Sequence, residues 1–364
     1  MSLFAKLNDL HKSTETQTNV LSEGIRNQYR KIESLPSFIQ HYLLSRISLG
    51  YSKQTVQRYI YDYHYFFQYV KRVSEDASFV SSNVSLEEFL QLEKAAIEHY
   101  ISYLALEMEN EPRTINRKIS ALQSLFDYLV KKGETSVNPI SGVERPKVGK
   151  REPVFLTVSE AQRLLEAIRD TSTLSSRQRK YAEKLLERDY AVIYLLLSSG
   201  LRISELSSLK MKDYSTEEQL LKIRGKGNKE RTIPLSIETI NVMEQYLASI
   251  PQSYRPKKAT DAVFIGYHFQ TKSYSTEIRV SALQKMIQRQ LKRARQHTPA
   301  LHNKTITAHK LRHSFATALV ANGVDVLTVQ SLLGHESVAT TQVYAHVQDQ
   351  ARQDAIRQLT IGLE

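Results

Sequence analysis

The 364-residue chain contains no cysteine. That absence excludes disulfides, thiol nucleophiles, Cys-ligated zinc and iron–sulfur clusters within it. Continuous apolar sequence is also scarce. The longest run, Tyr190 to Leu197, falls far short of the roughly 20 residues that cross a bilayer. Met1 to Leu10 lacks the basic-then-apolar pattern of a secretory leader. No internal repeat and no low-complexity tract is present. These absences predict a cytoplasmic protein with no membrane partner. What the chain has is positive charge and enough apolar sequence to fold. Lys+Arg number 50 against 38 Asp+Glu, a net charge of +12, and 41% of residues are hydrophobic. That length and composition fit ordinary packed cores in two domains.

The charge is uneven. Residues 1–150 carry 19 basic and 17 acidic residues, net +2, which leaves net +10 for residues 151–364. The second part therefore holds most of the pull on an anionic partner, and nucleic acid is the partner such a balance favours.

Ser52 is placed to cap a helix in which Tyr59, Tyr63, Phe66, Phe67 and Val70 recur every three to four residues. On one face at that spacing, aromatics form core. Glu87 to Met108 predicts a second amphipathic helix. A third, from about Arg113 to Lys132, buries Ile115, Ile119, Leu122, Phe126 and Leu129 and stops at Gly133. Arg113, Arg117 and Lys118 lie off that stripe near the helix start. They suit phosphate contacts or a plain solvated basic face. Between Asn138 and Pro153 stand Pro139, Pro146 and Pro153, two glycines and the basic residues Arg145, Lys147, Lys150 and Arg151. This density marks a linker whose charge suits a nucleic-acid backbone or simple solvation.

Thr157 to Glu160 reads as a capping box ahead of a helical pattern. Residues 171–190 are highly charged and read as an inserted loop or helix, and Tyr190 to Leu197 as a buried helix. Leu220 to Arg224 and Arg231 to Leu235 predict a β-hairpin around Gly225-Lys226-Gly227-Asn228. The predicted fold is mainly α with a small β-hairpin or sheet. Its parts are an N-terminal extension over 1–35, a helical domain over 36–140, a linker over 141–153, and a mixed α/β domain with a C-terminal tail over 154–364.

Four segments carry chemistry-bearing residues. They are Ser199-Gly200-Leu201-Arg202-Ile203-Ser204-Glu205-Leu206, Gly225 to Arg231 with Pro234, His309 to Thr317, and Leu333-Gly334-His335 through Tyr344. Each alone is modest; all four in this order and spacing are specific. Together they resemble the tyrosine site-specific recombinases, across the whole second domain. The overall size resembles the Xer branch, particularly the XerS-like single recombinases of Gram-positive bacteria. A helical first domain ahead of a basic linker is similar too.

The resemblance implies a helical core-binding domain and a catalytic domain that clamp duplex DNA. It implies Tyr344 as the nucleophile, giving a 3′-phosphotyrosyl intermediate and a free 5′-hydroxyl. A phenol, with pKa about 10, needs help to attack. Arg202 and Arg312 would clamp the phosphate, since guanidinium stays charged and bonds bidentately. Glu205 would orient Arg202 or form a surface pair with it. His309 and His335 would contact the phosphate, and which histidine handles the tyrosine proton is not legible from spacing. Lys226 would protonate the leaving 5′-oxygen, and Lys229 and Arg231 would touch the DNA backbone. His309 and His313 are four apart, but Lys310 stands where a zinc-protease helix has Glu. No metal or cofactor is expected. The expected assembly is a homotetramer on paired double-stranded DNA sites, with an FtsK-type translocase as partner if the Xer branch holds. The tail after Tyr344 would dock on a neighbouring subunit or on its own domain. Competing readings are a mobile-element integrase, a relaxing enzyme similar to type IB topoisomerases, and a non-catalytic DNA-binding protein of the same fold.

Overall fold

The computed structural model describes residues 21–149, 154–172, 174–225 and 230–334. The chain divides into two compact units between Lys150 and Arg151. In the first unit the helices are α1 (Glu23–Gln28), α2 (Ser37–Ser48), α3 (Lys53–Ser74), α4 (Leu86–Leu90), α5 (Lys94–Ser102) and α6 (Pro112–Lys132). Ser52 caps α3 by accepting from the Thr55 amide at 3.2 Å. Tyr63, Phe66 and Phe67 are buried beneath it, so the aromatic stripe is core. Pro112 opens α6, and Gly133 closes it in the left-handed region at φ 80°.

Three expectations for this unit are corrected. The Glu87–Met108 segment is two helices and a π turn, Tyr103–Glu107, rather than one helix. The core also starts before Pro36: Leu21, Tyr29, Ile32 and Leu35 are buried in it, so residues 21–35 are not an extension. It runs past the expected boundary at 140 as well, with Val143 buried. Arg145 donates to the Asn116 carbonyl at 3.1 Å and to Ser120 Oγ at 2.8 Å. Asn116 donates to the Pro146 carbonyl at 3.0 Å. These bonds fasten the start of the expected linker to α6.

The second unit comprises α7 (Val158–Arg169), α8 (Ser176–Ser199), α9 (Ile203–Ser208), β1 (Tyr214–Ser215), β2 (Leu220–Arg224), β3 (Glu230–Pro234), α10 (Ile237–Ser249), the hairpin β4 (Tyr267–His268) and β5 (Ser273–Tyr274), α11 (Val280–His297), α12 (Ala308–Ala321) and α13 (Val326–Leu333). Thr157 and Glu160 form the capping box of α7. The charged segment and the buried segment expected as separate pieces are one helix, α8. Ser175 and Gln178 form its opening box, and its second half carries Ala191, Val192, Ile193, Leu195 and Leu196 into the core.

The sheet is antiparallel in the order β1-β2-β3. Leu220 pairs with Pro234, Ile223 with Arg231 and Arg224 with Glu230. The third strand starts one residue earlier than expected, and β1 is an added strand. Leu221, Ile223 and Ile233 face the core. α8 packs against α10 and α12, and α13 packs on α12. The C-terminal ends of α8 and α13 thus come close to each other.

Candidate active site

Both of those helices end on a left-handed glycine: Gly200 at φ 62° and Gly334 at φ 63°. The close approach also demands glycine at 200. A Cβ there would lie 2.4 Å from Phe315 Cδ1 and 2.8 Å from Leu333 Cδ2. Helix C-termini carry partial negative charge and unsatisfied carbonyls, so cations gather there.

Arg312 is one such cation. Thr307 caps α12 by accepting from the Lys310 amide at 3.4 Å, and one turn later Arg312 points inward, 2% exposed. It donates to the Gly200 carbonyl at 2.7 Å and the Leu333 carbonyl at 2.6 Å. Arg202 lies just beyond Gly200 with its side chain 41% exposed. It donates to the Gly334 carbonyl at 3.1 Å and to Glu205 Oε1 at 2.8 Å.

Glu205 is buried, so its link to Arg202 is not a surface pair. Its Oε2 accepts from the Arg202 amide at 2.8 Å and lies 3.9 Å from the Arg312 guanidinium. Burial alone would raise this carboxyl. Hydrogen bonds from Arg231 and from the Arg202 amide outweigh burial and hold it below the usual carboxylate range.

Arg231 supplies the correction at this site. Expected against a DNA backbone, it is turned inward, its side chain 11% exposed. It donates to both Glu205 oxygens, at 3.0 and 2.8 Å, and to the Leu332 carbonyl at 2.8 Å. β3 faces the end of α13, and the buried carboxylate draws the guanidinium in.

His309 shares a face of α12 with Arg312. Partial desolvation lowers its basicity, and the nearby charges of Arg312 and Arg202 lower it further. His309 and His313 share a hydrogen bond, Nε2 to Nε2, of 3.0 Å. Burial, followed by His309, Arg312 and Lys310, pushes His313 down to about 4. Two neutral imidazoles suit this bond, one donating and one accepting. Arg202, Arg312 and His309 are thus brought together. Lys226, Lys229, His335 and Tyr344 lie outside the described residues.

The basic residues of the first unit separate. Arg113 and Lys147 are exposed. Arg117 is half-buried and ion-paired with the buried carboxylate of Asp62. Lys118 is not on a solvated face. It is 3% exposed, with Nζ 3.2 Å from the centre of the Tyr65 ring. Burial lowers it to about 8, against the opposing pull of Asp62. Arg117 and Lys118 line a cleft of about 670 Å³ together with Lys53, Gln57, Arg58 and Tyr61 of α3.

Residues 154–351 match the phage integrase family. Tyrosine recombinase XerC of Caldanaerobacter subterraneus subsp. tengcongensis is 34% identical over 323 residues, covering 86% of this chain and 83% of the relative. The chain is a tyrosine recombinase of the phage integrase family, Xer branch. It is also similar to tyrosine recombinase XerD of Listeria innocua, 34% identical over 322 residues, which cover 87% of this chain and 95% of that one. A crystal structure of the XerH site-specific recombinase bound to palindromic difH substrate shares the fold. Its TM-score is 0.61 at 21% identity, over 95% of this chain and 92% of that chain.

Sequence reasoning missed two features of this site-specific DNA recombinase. One is the inward turn of Arg231, which strand alternation signals by placing it on the same face as the buried Ile233. The other is the polar face of α3, where Gln54, Arg58, Tyr61 and Tyr65 recur at helical spacing opposite the aromatic stripe. That spacing was a readable signal.

Proposed function

We propose that the recombinase cuts and rejoins double-stranded DNA through a 3′-phosphotyrosyl intermediate formed by Tyr344. Arg202 and Arg312 hold the nonbridging phosphate oxygens, and His309 adds a neutral hydrogen-bonding ring beside them. His335 adds a further phosphate contact. Lys226 protonates the leaving 5′-oxygen. The phosphotyrosyl bond keeps the energy of the phosphodiester it replaces, so the 5′-hydroxyl reverses the step without a cofactor.

One observation carries this reading. The two arginines and His309 converge where α13 ends, and His335 is the next residue after Gly334. Preorganised donors of fixed charge are what a phosphate gaining charge requires. Arg113, Arg117 and Lys147 form the first unit's direct contribution to DNA binding, with Lys118 shaping the wall of the cleft rather than reaching out from an open face.

The biological task we assign is resolution of chromosome dimers at cell division, by a cytoplasmic homotetramer on paired sites, with an FtsK-type translocase as partner. The XerC and XerD names of the relatives favour this over mobile-element integration. Among the described residues no helix is long and apolar enough to cross a membrane.

The test is covalent trapping. Wild type and Tyr344→Phe are mixed, without divalent metal, with nicked suicide duplexes from the host replication-terminus region and run on a denaturing gel. An adduct with wild type alone is expected. Specific binding of the same duplex with no adduct would move the assignment to a non-catalytic DNA-binding protein.

A further inference from the structure

Three successive carbonyls at the end of α13 are each held by a different arginine. Leu332 offers its carbonyl to Arg231, Leu333 to Arg312 and Gly334 to Arg202. The arginines come from β3, from α12 and from the segment between α8 and α9. All three also surround one carboxylate, Glu205, two by hydrogen bonds and Arg312 at 3.9 Å.

Their surroundings differ, and Arg202 alone of the three is open to solvent. Arg202 is 41% exposed and open to a ligand. Arg312 is 2% exposed with both terminal nitrogens on carbonyls, and it lies beside His309, which Arg231 does not. Arg231, like Arg312, spends its guanidinium internally, but on the carboxylate that orients Arg202. Both of its terminal nitrogens lie on Glu205, and its Nε lies on the Leu332 carbonyl. It also packs closely under the helix end, since a Cβ on Gly334 would meet its Cδ at 3.2 Å. Across the hairpin it faces Ile223, so its backbone is fixed by the β2–β3 ladder. In sequence, Lys226 lies between the two paired strands, and His335 follows directly on the helix end that Arg231 grips.

We propose that Arg231 is a positioning residue for strand cleavage. It ties the hairpin, the Arg202-orienting carboxylate and the C-terminal end of α13 into one rigid unit, and it makes no DNA contact of its own. The inference rests on the assignment of Arg202, Lys226, His335 and Tyr344 to the reaction. Only a planar fork meets two carboxylate oxygens and a carbonyl at once. A lysine keeps the charge opposite Glu205, but its donors radiate from a single nitrogen and do not span both carboxylate oxygens and the carbonyl as the planar fork does. The fork, more than the charge, is therefore the required feature.

Arg231→Lys and the paired variant Arg231→Met/Glu205→Gln test this, the second removing the buried charge together with its partner. Three quantities are measured on a suicide duplex. They are the rate of adduct formation at saturating protein, the dissociation constant as a function of salt, and the melting temperature. Expected for Arg231→Lys is cleavage slowed about 10²-fold, as a displaced catalytic group produces, with the dissociation constant and its salt slope unchanged. The paired variant should cleave no faster than Arg231→Lys. Weaker binding with a shallower salt slope, and wild-type cleavage once bound, would overturn the proposal in favour of a phosphate contact. Wild-type cleavage by either variant would also overturn it. Failure of the underlying assignment looks different: the wild-type protein itself, bound to its site, would give no adduct.

Discussion

His309 and His313 share one hydrogen bond and are both less basic than a free imidazole. The unfolded chain therefore takes up a proton at His313 near 6.5, while the folded chain resists until about 4. Across that window the unfolded state binds more protons, so stability is full above pH 6.5 and falls as the pH drops toward 4. A melting curve taken at half-unit pH steps should show this decline, and His313→Asn, which cannot titrate, should flatten it. Arg312 makes the second prediction at this scale. Replacing it by lysine removes the fork that spans the Gly200 and Leu333 carbonyls. Adduct formation should slow by about 10²-fold or more, equivalent to about 3 kcal/mol of barrier, as when a charge-stabilising donor is deleted. Single-turnover trapping at saturating protein reads it. Arg312 was legible from motif spacing. Its burial was not, because the carbonyls that hold it end α8 and α13, which the linear motif does not include.

At the scale of elements, two glycines with the same left-handed backbone separate strain from contact. Gly133 ends α6 at φ 80° with open space where a methyl group would point, whereas Gly200 has Phe315 and Leu333 against it. Gly133→Ala should cost about 1 kcal/mol of backbone strain. Gly200→Ala should add overpacking of roughly 1–3 kcal/mol. Urea midpoints at unchanged slope measure both, and equal shifts would show that the α8–α12–α13 junction yields. The helices were readable where an apolar period met a capping residue, as in α3 and α7. The division of 171–197 into two pieces failed because the charged half of α8 lacks an apolar period of its own. It is helical because Ser175 and Gln178 start it and the buried half continues it. The break between α4 and α5 left no glycine or proline in the sequence to mark it.

For the whole molecule, electrostatics sets how binding responds to salt. Removing one phosphate contact should make the log–log slope of DNA affinity against salt shallower by about 0.9. Arg113→Ala, at an exposed helix start, should do so. Lys118→Met should leave the slope nearly unchanged, because Lys118 is buried against Tyr65 and beside Asp62. Filter binding over a salt series distinguishes the two. By itself the sequence determined the two-part organisation, the mainly helical class, the positive second part and the family, because capping residues, apolar periods and motif order are local features. Only the tertiary structure decided that residues 21–35 and Val143 belong to the first core, and that Glu205 is the shared acceptor of the arginine cluster. It alone supplied the Glu205 carboxylate and the Leu332 carbonyl that hold Arg231. Those outcomes depend on which distant carbonyls and carboxylates must be satisfied once water is gone, and a linear pattern does not encode which ends of which helices will meet.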